Sequence, residues 1–207
     1  MSVFLWIGLD KMPEAGVVQS ALSGAARMMF GKPDGLRRMD LSIDGFWDSF
    51  IAIPLAAPPL LVGWIASTSD YLAKPGASGS QLSVVAANGV VELAAWIVPI
   101  LLLGLIARPA GIADRFVPYV VATNWASVII AWYMLPISLL RLFTPESHDL
   151  IASLSLVAFI ATMVLIWRLT NGAIGKGAAV STAVFTAMLV ASIATVYLFA
   201  WLLGIDA

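Results

Sequence analysis

The sequence predicts an all-α protein, a polytopic transmembrane helical bundle of about five spans with an N-terminal amphipathic surface helix. Three observations carry that prediction. The 207-residue chain is 61% hydrophobic and only 11% charged, whereas a soluble domain carries about 25% charged residues, and its mean hydropathy is +0.97. Apolar runs of the ~20 residues needed to cross a ~30 Å hydrocarbon layer recur along it. The loops between them alternate between cationic and nearly cation-free, as expected of a chain that threads back and forth through a bilayer. The organisation that follows is a cytoplasmic or interfacial segment over residues 1–46 and a five-helix transmembrane domain over 47–207.

Composition also narrows the chemistry. A net charge of −1 gives no reason to expect a nucleic-acid partner. The absence of cysteine excludes disulfides, thiolate metal sites and iron–sulfur clusters. The single histidine, His148, excludes bis-histidine haem within one chain.

Met1 to Leu9 is apolar but too short to span, and it lacks the basic start and cleavage site of a signal peptide. It is expected in the interface or packed on a neighbour. Pro13 and Glu14 suit the first turn of a helix, with an acid at the positive end of the dipole. Val18, Leu22, Ala25 and Met29 then recur at helical spacing, so 14–30 reads as an amphipathic helix on the membrane surface or capping the bundle. Gly31, Lys32 and Pro33 end it. Arg27, Lys32, Arg37 and Arg38 are the candidate headgroup contacts, and Trp47 sits at the mouth of the first span, where aromatic side chains prefer to lie.

The spans are predicted at 47–66, 84–106, 117–140, 150–167 and 179–203. The first contains Pro54, Pro58 and Pro59. Each removes a helical donor, so the carbonyls of Phe50, Pro54 and Leu55 are expected to face protein or water rather than lipid. The second span is expected to kink near Pro99, and the third carries Asn124, Ser127 and Pro136. Lys11, Arg27, Lys32, Arg37, Arg38, Arg108, Arg115, Arg168 and Lys176 fall on one side, and only Lys74 and Arg141 on the other. The cationic side is the cytoplasmic one. The N-terminus is therefore expected inside and the C-terminus outside.

Chemistry within the spans is sparse. Glu92 lies about eight residues inside the second span, roughly 12 Å deep, where a charged side chain costs about 2.5–3.5 kcal/mol on insertion scales. Asn88 is four residues away on the same face. If the second and third spans are antiparallel neighbours, Asn124 comes within roughly 7 Å of Glu92 along the membrane normal. The three form an expected intramembrane polar cluster, either a proton or ion site or a neutral Glu92 hydrogen-bonded to a neighbouring helix as packing glue. In the fifth span Ala183, Ala187, Ala191 and Thr195 repeat every fourth residue, a candidate helix-packing face within the bundle or toward another membrane protein. Trp96, Trp125, Trp132 and Trp167 add large contact surfaces. His148, Glu146 and Asp149 are expected in a short external loop, with no further ligands for a metal. No nucleophile motif or phosphate loop is present.

Asp40-Leu41, followed by Gly45-Phe46-Trp47 just before the first span, resembles a motif of the Yip (Ypt-interacting protein) family, with Ser42, Ile43 and Asp44 standing where the family has tyrosine and proline. The resemblance covers about eight residues of the chain. It implies a cytoplasmic N-terminal segment, five spans, an outward C-terminus and a membrane-organising or partner-binding role, and it supplies no catalytic residues. The plain loops and high alanine content resemble the bacterial members. Together these observations lead to an expected non-enzymatic inner-membrane scaffold or accessory subunit. It would need no cofactor, and its partners would be the bilayer and other membrane proteins or a second copy of itself. The alternative is a small transporter or channel using Glu92 and Asn124.

Overall fold

The computed structural model describes residues 14–205. Met1 to Leu9 and Lys11 lie outside that range. Among the described residues there are seven α-helices and no strand: α1 (Ala15–Met29), α2 (Ile43–Asp48), α3 (Ala52–Leu72), α4 (Gln81–Ile106), α5 (Phe116–Phe143), α6 (His148–Ile174) and α7 (Ala178–Leu203). A short 3₁₀ turn, Ser49–Ile51, joins α2 to α3 into one continuous run. Five helical runs are long and apolar enough to cross a membrane, beginning at Ile43, Gln81, Ala113, His148 and Ala178. This is a multi-pass membrane protein built as an all-α bundle.

The helix ends follow local chemistry. Asp40 accepts the Ser42 N–H at 2.8 Å, and the Ser42 hydroxyl accepts the Gly45 N–H at 3.1 Å. Ser42 thus caps the short helix that opens the first span. The Ser42 backbone N–H, and after it the Ser42 hydroxyl, hold the Asp40 carboxyl below the ordinary carboxylate range. Ser80 caps α4 by accepting the Ser83 N–H at 3.2 Å. Gly175 ends α6 at φ +59°, a left-handed conformation that suits glycine.

The fourth span is longer than its apolar core suggests. It begins at His148 and runs to Ile174, so Arg168 is helical rather than in the following loop, and His148 and Asp149 form a first helical turn rather than a loop. Leu169, Thr170, Ala173 and Ile174 are fully buried beyond the arginine, while Arg168 itself is exposed. A long charged stem near a helix end reaches water without ending the helix.

The five spans close into a ring in the order α3, α5, α6, α7, α4, each packed on the next. α4 and α5 are consecutive in sequence, yet they sit across the ring and barely touch. The loops at the cationic end are tied together by Lys176, which donates to the Gly111 carbonyl at 2.5 Å and the Asp114 carboxylate at 2.6 Å.

α1 packs on the flank of α5 and the end of α6. Ala21, Gly24, Ala25, Met28 and Met29 are its buried residues, while Val18 and Leu22 are half-buried beside Ile129 of α5. The buried stripe is wider than the sequence pattern because α1 has a second partner. The 3₁₀ segment Pro33–Arg38 crosses it so closely that a Cβ on Gly24 would lie 2.6 Å from the Gly35 carbonyl oxygen. An Arg27–Asp34 ion pair and an Arg38 hydrogen bond to Ser23 at 3.0 Å fasten the crossing. The Arg27 hydrogen bond holds the Asp34 carboxyl below its ordinary range. Lys32, Arg37 and Trp47 are exposed around this assembly.

Candidate functional site: a cavity at the centre of the helix ring

The ring surrounds a half-open cavity of about 490 Å³ with residues from all five spans in its wall. α3 contributes Pro59, Gly63, Trp64 and Ser67, and α4 contributes Glu92, Ala95, Trp96 and Pro99. α5 presents one continuous stripe, Tyr119, Thr123, Ser127, Met134, Ser138 and Arg141. Met163 of α6 and Phe185, Met188 and Ser192 of α7 close the far side. The volume and the mixture of apolar wall with a few polar groups match those of small-molecule sites.

The expected Asn88–Glu92–Asn124 cluster is not joined by hydrogen bonds. Asn88 donates to Thr68 at 3.2 Å and to the Val84 carbonyl at 3.0 Å, linking α4 to α3. Asn124 is fully buried; it donates to Ser49 at 2.9 Å and accepts the Trp96 indole N–H at 2.9 Å. Trp96 thus reaches across the ring from α4 to α5. Among the described residues no hydrogen bond or ion pair engages Glu92, whose side chain is exposed to the cavity. The packing-glue role expected for Glu92 belongs instead to the two asparagines. The physical reason is the ring order: Glu92 faces the central space because its helix neighbours are α3 and α7, not α5.

Two indoles flank Glu92 along α4. Trp96 follows one turn later, and the Trp64 ring packs on Gly89, three residues earlier, where an added Cβ would lie 3.1 Å from it. Gly89 therefore gives the Trp64 ring its seat beside the acid. The Trp64 indole nitrogen is buried without a hydrogen-bond partner.

The remaining polar groups are more constrained. The Arg141 guanidinium is ion-paired with Asp70, joining α5 to α3 at the end of the ring away from α1. The Thr123 hydroxyl donates to the Tyr119 carbonyl at 2.9 Å, Ser127 to the Thr123 carbonyl at 2.9 Å, and Ser192 to the Ala95 carbonyl at 3.2 Å. These hydroxyls line the wall as acceptors, their protons already committed to backbone. Glu92 is thus the one acid in the wall, and the one base, Arg141, already has a counter-ion.

Sequence spacing carried part of this site unread. Tyr119, Thr123 and Ser127 recur every fourth residue on α5, a run short enough to drift only about 80° around the helix and so remain on the cavity side. That small-residue repeat is not one packing face. Ala183 and Ala187 are exposed, Ala191 is half-buried and Thr195 is buried, while the inward residues are Ser181, Val184 and Met188. A step of four residues overshoots the 3.6-residue turn by about 40°, so the repeat walks around the helix.

No protein-family model, curated protein or solved structure matches this chain.

Proposed function

We propose that this protein is a small multi-pass transporter of a bacterial inner membrane. Its binding site is the five-helix cavity, Glu92 is the residue that meets the cargo, and its N-terminus is cytoplasmic and its C-terminus periplasmic. The observation that carries the proposal is Glu92 itself, an acid without a partner among the described residues, opening into a cavity walled by every span. An ionisable residue at membrane depth is costly and marks ion or substrate pathways. Binding is favoured over catalysis because the Thr123, Ser127 and Ser192 hydroxyls are bonded to backbone carbonyls and Arg141 is held by Asp70. The orientation rests on the cations Arg27, Lys32, Arg37, Arg38, Arg108, Arg115 and Lys176, which cluster at one end of the ring.

A scaffold or accessory-subunit role is the second proposal. It draws support from Ala183 and Ala187, small residues exposed on the outer face of α7 where another membrane helix can approach closely. The resemblance of Asp40 to Trp47 to the Yip family points the same way.

Cysteine labelling tests the first proposal, since the native chain has no thiol. A membrane-impermeant thiol reagent should modify cysteines replacing Ser127 and Ser192 in the cavity and leave those replacing Leu105 and Val190, on the outer surface, unlabelled. In intact cells Ser78→Cys should label from the periplasm, and Ala110→Cys should label only after lysis. Cavity cysteines as silent as the two outer-surface ones would reject the transporter.

A further inference from the structure

The surroundings of Glu92 specify a class of cargo, given that the cavity is a binding site as proposed above. Three features of the wall bear on it. The first is charge. Among the described residues Glu92 has no counter-ion, and the only base they place in the wall is already paired with Asp70. An anion entering here would meet a carboxylate and no free cation. A neutral molecule would leave that carboxylate unpaired in an apolar space, which is costly. A cation supplies the missing partner.

The second feature is the company Glu92 keeps. The Trp64 and Trp96 indoles stand one turn to either side of it on α4, Trp64 by way of its seat on Gly89. Tryptophan offers the strongest aromatic attraction for a cation, and the attraction grows when the cation is desolvated. The third is the rest of the lining. Phe185, Met134 and Met188 are apolar and polarisable, and methionine adapts to varied shapes. A divalent metal ion would find here one carboxylate and no second acid or imidazole, since among the described residues no three His, Cys, Asp or Glu side chains gather.

We propose that the cavity takes a lipophilic organic monocation, with its charge against the Glu92 carboxylate between Trp64 and Trp96 and its hydrophobic body against Phe185 and the methionines. The site holds one such charge because it offers one free acid. Arg141, at the end of the ring away from α1, keeps Asp70 from acting as a second.

The test uses the full chain in lipid nanodiscs and a matched pair of probes, tetraphenylphosphonium and tetraphenylborate, alike in shape and opposite in charge. Calorimetric titration, corrected with empty discs, should show saturable binding of one tetraphenylphosphonium per chain and none of tetraphenylborate. Glu92→Gln should weaken that binding by about tenfold or more. Glu92→Asp, which keeps the charge, should stay within about threefold of wild type, and Val90→Ala on the outer surface of α4 should change nothing. Size-exclusion profiles identical to wild type show that the Gln variant is folded. Equal affinity in wild type and Glu92→Gln overturns the proposal, as does equal binding of the borate or the absence of saturable phosphonium binding. If that happens while the cysteines at Ser127 and Ser192 still label, the cargo class is wrong and the cavity stands. If those cysteines are silent, both fail together.

Discussion

The Trp132 indole N–H donates to the Leu55 carbonyl at 3.1 Å, and Leu55 is the residue whose helical donor Pro59 removes. The proline defect in α3 is therefore repaired by a side chain of α5, its neighbour in the ring. Within hydrocarbon a bare carbonyl has no water to turn to, so a helix break survives only where protein satisfies it.

Trp132→Phe should keep most of the ring surface and delete the donor, destabilising the protein by about 1 kcal/mol. In a Pro59→Ala background the new N–H at position 59 can serve Leu55 directly. There the same Trp132→Phe change should cost close to nothing. Unfolding titrations of the two single variants and the double variant in mixed micelles measure the coupling. Strict additivity would mean that the indole does not serve the carbonyl freed by Pro59.

Asn124 holds three elements together: its own helix, α4 through Trp96, and the turn before α3 through Ser49. Ser49 gives its own proton to the Phe46 carbonyl at 2.6 Å, so it depends on Asn124 as a donor partner. Asn124→Ala leaves the Trp96 N–H and a Ser49 lone pair unmatched inside a fully buried site, at an expected cost of about 2 kcal/mol. Trp96→Phe removes one of the same two bonds. The two variants should therefore be less than additive when combined, again by unfolding titration. Glu92→Gln, with no hydrogen bond to lose, should be nearly neutral in the same assay.

The spans were legible because length and apolarity are local properties of the chain. So was the fate of the Leu55 carbonyl, since proline's missing donor is fixed by covalent chemistry. The partners of Glu92 were not legible. Sequence adjacency suggested that the second and third spans touch, whereas the ring sets α4 between α3 and α7. Which helices neighbour one another is decided by the summed packing of all five. Arg168 misled for a related reason: a charge looks like a boundary until a packed surface beyond it, here Leu169 to Ile174, carries the helix further. The Ala183 repeat misled through arithmetic, because a four-residue step does not stay on one face.

At the α1 crossing two backbones meet without side chains between them. A Cβ on Gly24 would lie 2.6 Å from the Gly35 carbonyl oxygen, and one on Gly35 would press on the Gly24 carbonyl oxygen. Neither obstacle can rotate away, so the segments must separate. Separation would pull at the Arg27–Asp34 pair and at the Ser20 hydroxyl's bond to the Arg38 carbonyl at 3.0 Å. Gly24→Ala and Gly35→Ala should each destabilise this assembly by about 1–3 kcal/mol, the usual range for overpacking. Gly16 sits in the same helix with nothing within 4 Å of its added Cβ. Gly16→Ala should instead stabilise α1 by about 0.5–1 kcal/mol through helix propensity. Hydrogen exchange across residues 15–38 reads both effects in one experiment. Exchange should quicken in the first two variants and slow in the third, and a Gly24→Ala protein as protected as Gly16→Ala would mean that the backbones do not meet.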